Sequence, residues 1–189
     1  PVTLSRPDEV VSIPRMEGVS ITLDGRVDES VWASVPAYTK LLVIDPDTLA
    51  EPEYPSAARI FYTDKGIYVG AVLEQPVDTL VERLSSRDKQ LSRDDFGLAL
   101  DTSGDGSYGF FFNVSLGGTK SDGKIVPEFQ VSREWDGAWE GKTAVTDSGW
   151  SAEMFIPWSI LSMPSVDNQR SLPFAITRYV AHKNQRWMW

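Results

Sequence analysis

The sequence contains no cysteine and a single histidine, His182. The first absence excludes a disulfide framework and any cysteine metal site. The second excludes a metal centre built from several histidines within this chain. No apolar run approaches the roughly 20 residues that a membrane-spanning helix needs. Basic charge is scarce: 18 Lys and Arg stand against 27 Asp and Glu, for a net charge of −9. Phosphate backbones are bound through Lys and Arg clusters, and the densest basic stretch, Arg83 to Arg93, is interrupted by Asp88. Nucleic acid is therefore excluded as a partner. Internal repeats, low-complexity tracts and any βαβ rhythm are also missing, which argues against a solenoid and against a parallel α/β sheet.

What is present fits one globular domain: 189 residues, 41% apolar and 24% charged. Residues 1–18 carry Pro7 and Pro14 and no sustained period, so they read as an arm with an edge strand over Glu9 to Ile13; the domain proper is 19–189. The chain starts at Pro1 rather than Met and stops on Trp187-Met188-Trp189. The expectation is a processed, exported chain, periplasmic, outer-membrane-associated or extracellular, with a further domain of the same protein after it.

Alternation of apolar and polar residues predicts most of the elements. Ser20–Leu23 reads as a short strand ending at Asp24-Gly25. Asp28-Glu29 opens a short helix whose dipole favours acids in its first turn. Ala57–Thr63 and Ile67–Leu73 flank the Asp64-Lys65-Gly66 turn as a hairpin. The second of these strands is apolar on both faces and should be covered twice. Phe96–Asp101 and Tyr108–Ser115 form a second hairpin, in which Phe110, Phe112 and Val114 point one way and Phe111, Asn113 and Ser115 the other. Lys142–Thr146 and Trp150–Ile156 form a third, Pro157–Leu161 is one helical turn with proline at its first position, and Leu172–His182 is the last long strand. Leu116–Gly123 reads as a glycine-rich connection. The fold class is all-β: an antiparallel β-sandwich, immunoglobulin- or jelly-roll-like, with one or two short helices.

The stretch Trp135–Trp158 holds four of the seven tryptophans. Trp150 and Trp158 lie among alternating or clustered apolar residues and read as core, as does Trp32. Trp135 and Trp139 lie ahead of the last hairpin in an acidic segment broken by glycine. There they read either as strand-end packing or as flat apolar faces left for a ligand.

Two segments carry a resemblance. Leu23-Asp24-Gly25-Arg26-Val27-Asp28-Glu29-Ser30-Val31-Trp32 resembles the opening signature of family 9 carbohydrate-binding modules. Gly149-Trp150-Ser151-Ala152-Glu153-Met154-Phe155-Ile156-Pro157-Trp158 resembles that family's closing strand-to-turn element. Between them, Asp95–Asp101 followed by Tyr108–Asn113 is similar to the family's middle hairpin, so the resemblance runs from about Val19 to Lys183. It implies a non-catalytic β-sandwich that binds oligosaccharide or polysaccharide, with bound calcium in many members. Ring stacking then falls to Trp135 and Trp139, and Asp136, Glu140 and Arg178 supply polar contacts. Arg178 shares the alternation of Phe174, Ile176 and Val180, so it should be half-buried with Glu153 as its partner.

Two oxygen-rich stretches are the candidates for calcium. Asp101-Thr-Ser-Gly-Asp105-Gly has the first half of a calcium loop but carries Phe112 where the twelfth, acidic position should be. Asp24, Asp28 and Glu29 are close in sequence, and helix capping explains them equally well. Two other readings stay open. One is a glycoside hydrolase using a carboxylate pair drawn from Glu128, Glu134, Asp136 and Glu153. The other is a structural domain that docks on its own carboxy-terminal neighbour and binds no sugar.

Overall fold

The computed structural model of the chain describes residues 11–127, 130–163 and 171–189. Most of the predicted amino-terminal arm, and Glu128, lie outside them. Twelve strands are found among the described residues: β1 Ala37–Tyr38, β2 Leu42–Asp45, β3 Ser56–Tyr62, β4 Gly66–Glu74, β5 Asp95–Asp101, β6 Gly109–Ser115, β7 Lys120–Val126, β8 Gln130–Ser132, β9 Glu140–Thr146, β10 Gly149–Pro157, β11 Phe174–Val180 and β12 Gln185–Met188. They form a five-stranded sheet, β1-β3-β4-β10-β9, and a seven-stranded sheet, β2-β12-β11-β5-β6-β7-β8. Every ladder between these strands is antiparallel. The two sheets make a curled sandwich with one short helix, α1 Ser30–Ser34.

Alternation explains the core. Ile67, Val69, Ala71 and Leu73 of β4, with Trp150, Ala152, Met154 and Ile156 of β10, point at Phe96, Leu98 and Leu100 of β5 and Phe110, Phe112 and Val114 of β6. Each fully buried aliphatic or phenyl side chain of this kind contributes about 1.5–3 kcal/mol against chain entropy. The other face of the five-stranded sheet carries a third layer. Trp32 and Val35 close over Phe61, with Met16, Val19, Ile21, Val27, Val31 and Tyr68 around them. This is why β4 is apolar on both sides. At Gly70 a Cβ would come within 3.1 Å of the Trp32 ring, so the indole lies directly on the strand.

Several expectations change here. Ser20–Leu23 forms no strand: Ile21 packs into the third layer and Thr22 N donates to Glu29 Oε1 at 3.1 Å instead of to a ladder. Glu29 does not cap α1, and the first turn holds no acidic residue. The second half of Leu116–Gly123 is strand: β7 starts at Lys120 and pairs with Gly109 to Val114 of β6, with Gly123 opposite Phe111.

The two motif segments meet. Glu153 of β10 is fully buried, and its Oε2 accepts from Asp24 N (3.1 Å) and Gly25 N (3.0 Å) while Oε1 accepts from Trp32 Nε1 (3.2 Å). Ser151 Oγ donates to Gly25 O at 2.6 Å. Gly25 has φ +92°, and a Cβ there would sit 2.4 Å from the Thr143 backbone, so glycine is required on both counts. Burial pushes the Glu153 carboxyl up to about 7 against the pull of these donors, with Glu29 nearby raising it further. The Asp-Gly, Asp-Glu and Trp of the first segment and the Glu of the second are therefore one structural staple, fastening the third layer to the sheet.

Candidate functional site

The segment from Arg133 to Trp139 crosses from β8, on the rim of the seven-stranded sheet, to β9, on the rim of the five-stranded sheet. A crossing of this kind closes the open side of a sandwich, and its inward side chains fill the gap. Trp139 does so completely: it is 1% exposed, 5.5 Å from Phe112 edge-to-face, with the Lys120 ammonium 5.2 Å from its ring and no partner for Nε1. Trp135 is half-buried against Phe110 and Phe112, at 4.7 and 6.0 Å. The pair therefore does not clamp a ring, and Trp139 is withdrawn from any ligand. Arg178 is withdrawn too. It is fully buried between the sheets, donating to Pro55 O, Ser56 Oγ, Glu74 O and Gln75 Oε1 and lying 4.9 Å from the Trp187 ring. Glu153 is not its partner, since that carboxylate faces the third layer. Asp136 and Glu140 are exposed, and Asp136 pairs with Arg87 at 2.9 Å.

Neither expected calcium set is assembled. Asp101 spends both oxygens on its own loop, accepting from Ser103 N, Ser103 Oγ and Gly104 N through Oδ1 and from Gly106 N through Oδ2. Asp105 is held down to about 2 by Ser107 and Ser103. Asp24 Oδ1 accepts from Arg26 N, and Glu29 Oε2 from Trp32 Nε1. Among the described residues one trio of carboxylates does converge, Asp88, Asp122 and Asp136. The cation among them is the Arg87 guanidinium, 2.5 Å from Asp122, 2.9 Å from Asp136 and 3.8 Å from Asp88. Asp122 is fully buried and also accepts from Gly137 N at 2.7 Å, while Arg87 donates to Gly137 O at 2.9 Å. This cluster pins the crossing segment. As arranged, these residues do not fit a calcium ion.

The surface left over is the outer face of the seven-stranded sheet. Register places Thr177, Gly97, Asn113 and Ser121 in one row across β11, β5, β6 and β7. One row to one side lie Tyr179 and Asp95, with Arg186 of β12 beyond; one row to the other lie Ala175, Ala99 and Phe111. None of Phe111, Asn113, Thr177 and Tyr179 belongs to a core cluster, and each is part-exposed. The glycine is what makes the centre. A Cβ at Gly97 would lie 1.9 Å from Asn113 Oδ1 and 2.9 Å from Thr177 Oγ1, so those two oxygens converge above it. Asp95, Asn113, Thr177 and Ser121 make no side-chain hydrogen bond among the described residues.

Two rings flank this polar centre. Tyr179 carries Arg186 at 5.3 Å and Phe111 carries Arg133 at 5.6 Å. They are two strands and four residues apart, which at strand spacings amounts to about 16 Å.

No protein-family model matches the chain, and no curated protein does. Solved structures do. A family 9 carbohydrate-binding module from Caldicellulosiruptor kristjanssonii in complex with cellotriose superposes with a TM-score of 0.65 at 17% identity, covering 94% of this chain and 82% of that one. A family 9 module from the same organism in complex with glucose gives 0.65 at 16% identity, with 94% and 84% covered. A candidate carbohydrate-binding protein from Bacteroides uniformis ATCC 8492 gives 0.72 at 13% identity, with 94% and 87% covered. The fold is that of a family 9 carbohydrate-binding module.

On this family 9 fold the residues that face outward had a legible signal and a missing one. Alternation in Phe110–Ser115 puts Phe111 and Asn113 opposite the core phenylalanines. It does not say that nothing packs on them, because that depends on where the third layer lies. Alternation in the last long strand likewise puts Thr177 and Tyr179 opposite Arg178; Arg186 was hidden because β12, Gln185–Met188, carries no turn signal beyond Asn184 in the left-handed conformation at φ 50°.

Proposed function

We propose that this chain is a non-catalytic carbohydrate-binding domain whose ligand lies across the outer face of the seven-stranded sheet. The observation that carries the reading is the convergence of Asn113 Oδ1 and Thr177 Oγ1 above Gly97, on a face with rings at either end and no covering layer among the described residues. Saccharide hydroxyls both donate and accept. A floor of unpartnered amide and hydroxyl groups suits them, while the rings and arginines beside it meet the C–H faces and oxygens of the sugar. The likeness in fold to modules bound to cellotriose and glucose supports the same reading. An exported setting belongs to it as well, since polysaccharides of this kind lie outside the cell.

The test is a glycan panel followed by calorimetry with cellotriose, each with and without calcium. The variant is Gly97→Ala. Its new Cβ would lie 1.9 Å from Asn113 Oδ1, 2.8 Å from Asn113 Cγ and 2.9 Å from Thr177 Oγ1, side-chain atoms rather than backbone, so Asn113 and Thr177 must swing away. Loss of at least tenfold in affinity, with an unchanged melting temperature, is expected. Binding that survives in this variant at wild-type strength would remove the face from the proposal.

A further inference from the structure

We propose that Asp95 is a specificity-determining residue of this face, accepting a hydrogen bond from a hydroxyl of a neutral saccharide; the proposal rests on the reading of the site given above. Asp95 opens β5 and faces outward beside Tyr179 of β11 and Ser115 of β6. Its Oδ1 is buried without a partner, and its carboxylate receives no hydrogen bond from any described residue. Its neighbours in sequence and space are spent elsewhere. Asp94 accepts from Gln75, Val81 N and Ala181 N. The Arg93 guanidinium donates to Arg83 O, Ser85 Oγ and Lys89 O. The Tyr179 hydroxyl donates to Asn184 Oδ1, and Ser115 Oγ accepts from Thr119 N. Arg186 lies against the Tyr179 ring.

A carboxylate left this way is costly, because a buried acceptor without a donor loses its hydration and gains nothing. Burial accordingly raises Asp95 to about 6, against the pull of Arg186 and Arg93 and with Asp94 adding to the rise. Its place is one row from the oxygens above Gly97, so a sugar spanning that centre brings a hydroxyl within reach. A neutral sugar hydroxyl supplies a donor to the carboxylate on the side where Asp95 is part-exposed. A uronate or sulfated sugar at the same point would set anion against anion. The sign of the pH effect follows: the hydroxyl binds the ionised carboxylate, so affinity is full above about 6 and falls as the carboxylate is protonated.

Cellotriose calorimetry from pH 5 to 7.5, on wild type and on Asp95→Asn, tests this. Wild-type affinity should drop about tenfold from pH 7.5 to 5, the drop expected one unit below a carboxyl at about 6. Asp95→Asn should bind more weakly at pH 7.5 and show no pH dependence, with a melting temperature at pH 7.5 equal to or above wild type. A pH-independent wild type, or a variant that keeps the slope, overturns the role of Asp95 and leaves the site standing. A wild-type chain that binds no member of the glycan panel overturns both.

Discussion

Trp139 offers the sharpest test, because the family resemblance and the structure assign it opposite roles. As a ligand platform it could be cut to alanine with little change in stability. As the plug between the sheets it cannot. Truncating a buried tryptophan to alanine costs about 3–5 kcal/mol, through lost transfer energy and the cavity left behind. The site is 1% exposed and bordered by Phe112 and Lys120, both held in strands, so it cannot collapse. One term works the other way: Nε1 has no partner, and a buried donor left unpaired costs about 1–3 kcal/mol. The alanine variant removes that donor, so the expected loss is about 3 kcal/mol. Phenylalanine keeps most of the ring and also removes the donor, so Trp139→Phe should stay within about 1.5 kcal/mol of wild type. Urea denaturation reads both. At a slope of about 2 kcal/mol/M the alanine midpoint falls by about 1.5 M. An alanine variant that loses under about 1 kcal/mol while abolishing saccharide binding would refute the packing role and restore the indole as a ligand contact.

Glu153 makes stability depend on pH. Its carboxyl is raised from 4.5 to about 7 in the fold, and an acid raised on folding favours the folded state while protonated. Stability should fall as pH rises from about 4.5 to 7, by up to about 3 kcal/mol at 1.36 kcal/mol per unit. Asp95 contributes in the same direction up to about pH 6, so the readout is the difference in slope between wild type and Glu153→Gln in urea melts; equal slopes would show that Glu153 titrates normally. Gln75 relays a buried ion pair: its Oε1 accepts from Arg178 at 3.1 Å and its Nε2 donates to Asp94 at 3.2 Å. Gln75→Leu should cost about 3 kcal/mol, the loss expected when buried charges are stranded, whereas a cost below about 1 kcal/mol would mean that Arg178 and Asp94 do not depend on it.

Much of the sandwich could be read from alternation, and the reason is local. A strand with one face in the core writes its period into its own sequence, as Phe110, Phe112 and Val114 do. The doubly apolar β4 was equally legible, down to the need for cover on its second face. What could not be read was which segment provides that cover. Ser20–Leu23 has a strand's composition, but its Ile21 is used as packing in the cluster with Phe61 and Tyr68. Its backbone finds a side-chain acceptor in Glu29 rather than a neighbouring strand. Local pattern registers burial, and burial under a third layer looks the same as burial in a sheet.

The burial of Trp139 was hidden from the sequence for a related reason, and the contrast with Trp135 shows it. Tryptophan in a polar, glycine-broken segment signals only that an apolar ring leaves a strand end. Whether it turns outward or inward depends on whether the segment lies over a face or crosses between sheets, and crossing is a property of topology. The decisive contacts are Asp122 and Arg87 on the backbone of Gly137, 15 and 50 residues away in sequence. The residues of the proposed binding face have the opposite character: Asn113, Thr177 and Gly97 are small or neutral and conspicuous in no sequence scan. Their value comes from registration, because three strands must be aligned before two oxygens meet over a missing side chain. The proposed face is defined by an absence at Gly97, and an absence acquires meaning only once its neighbours on the adjoining strands are known.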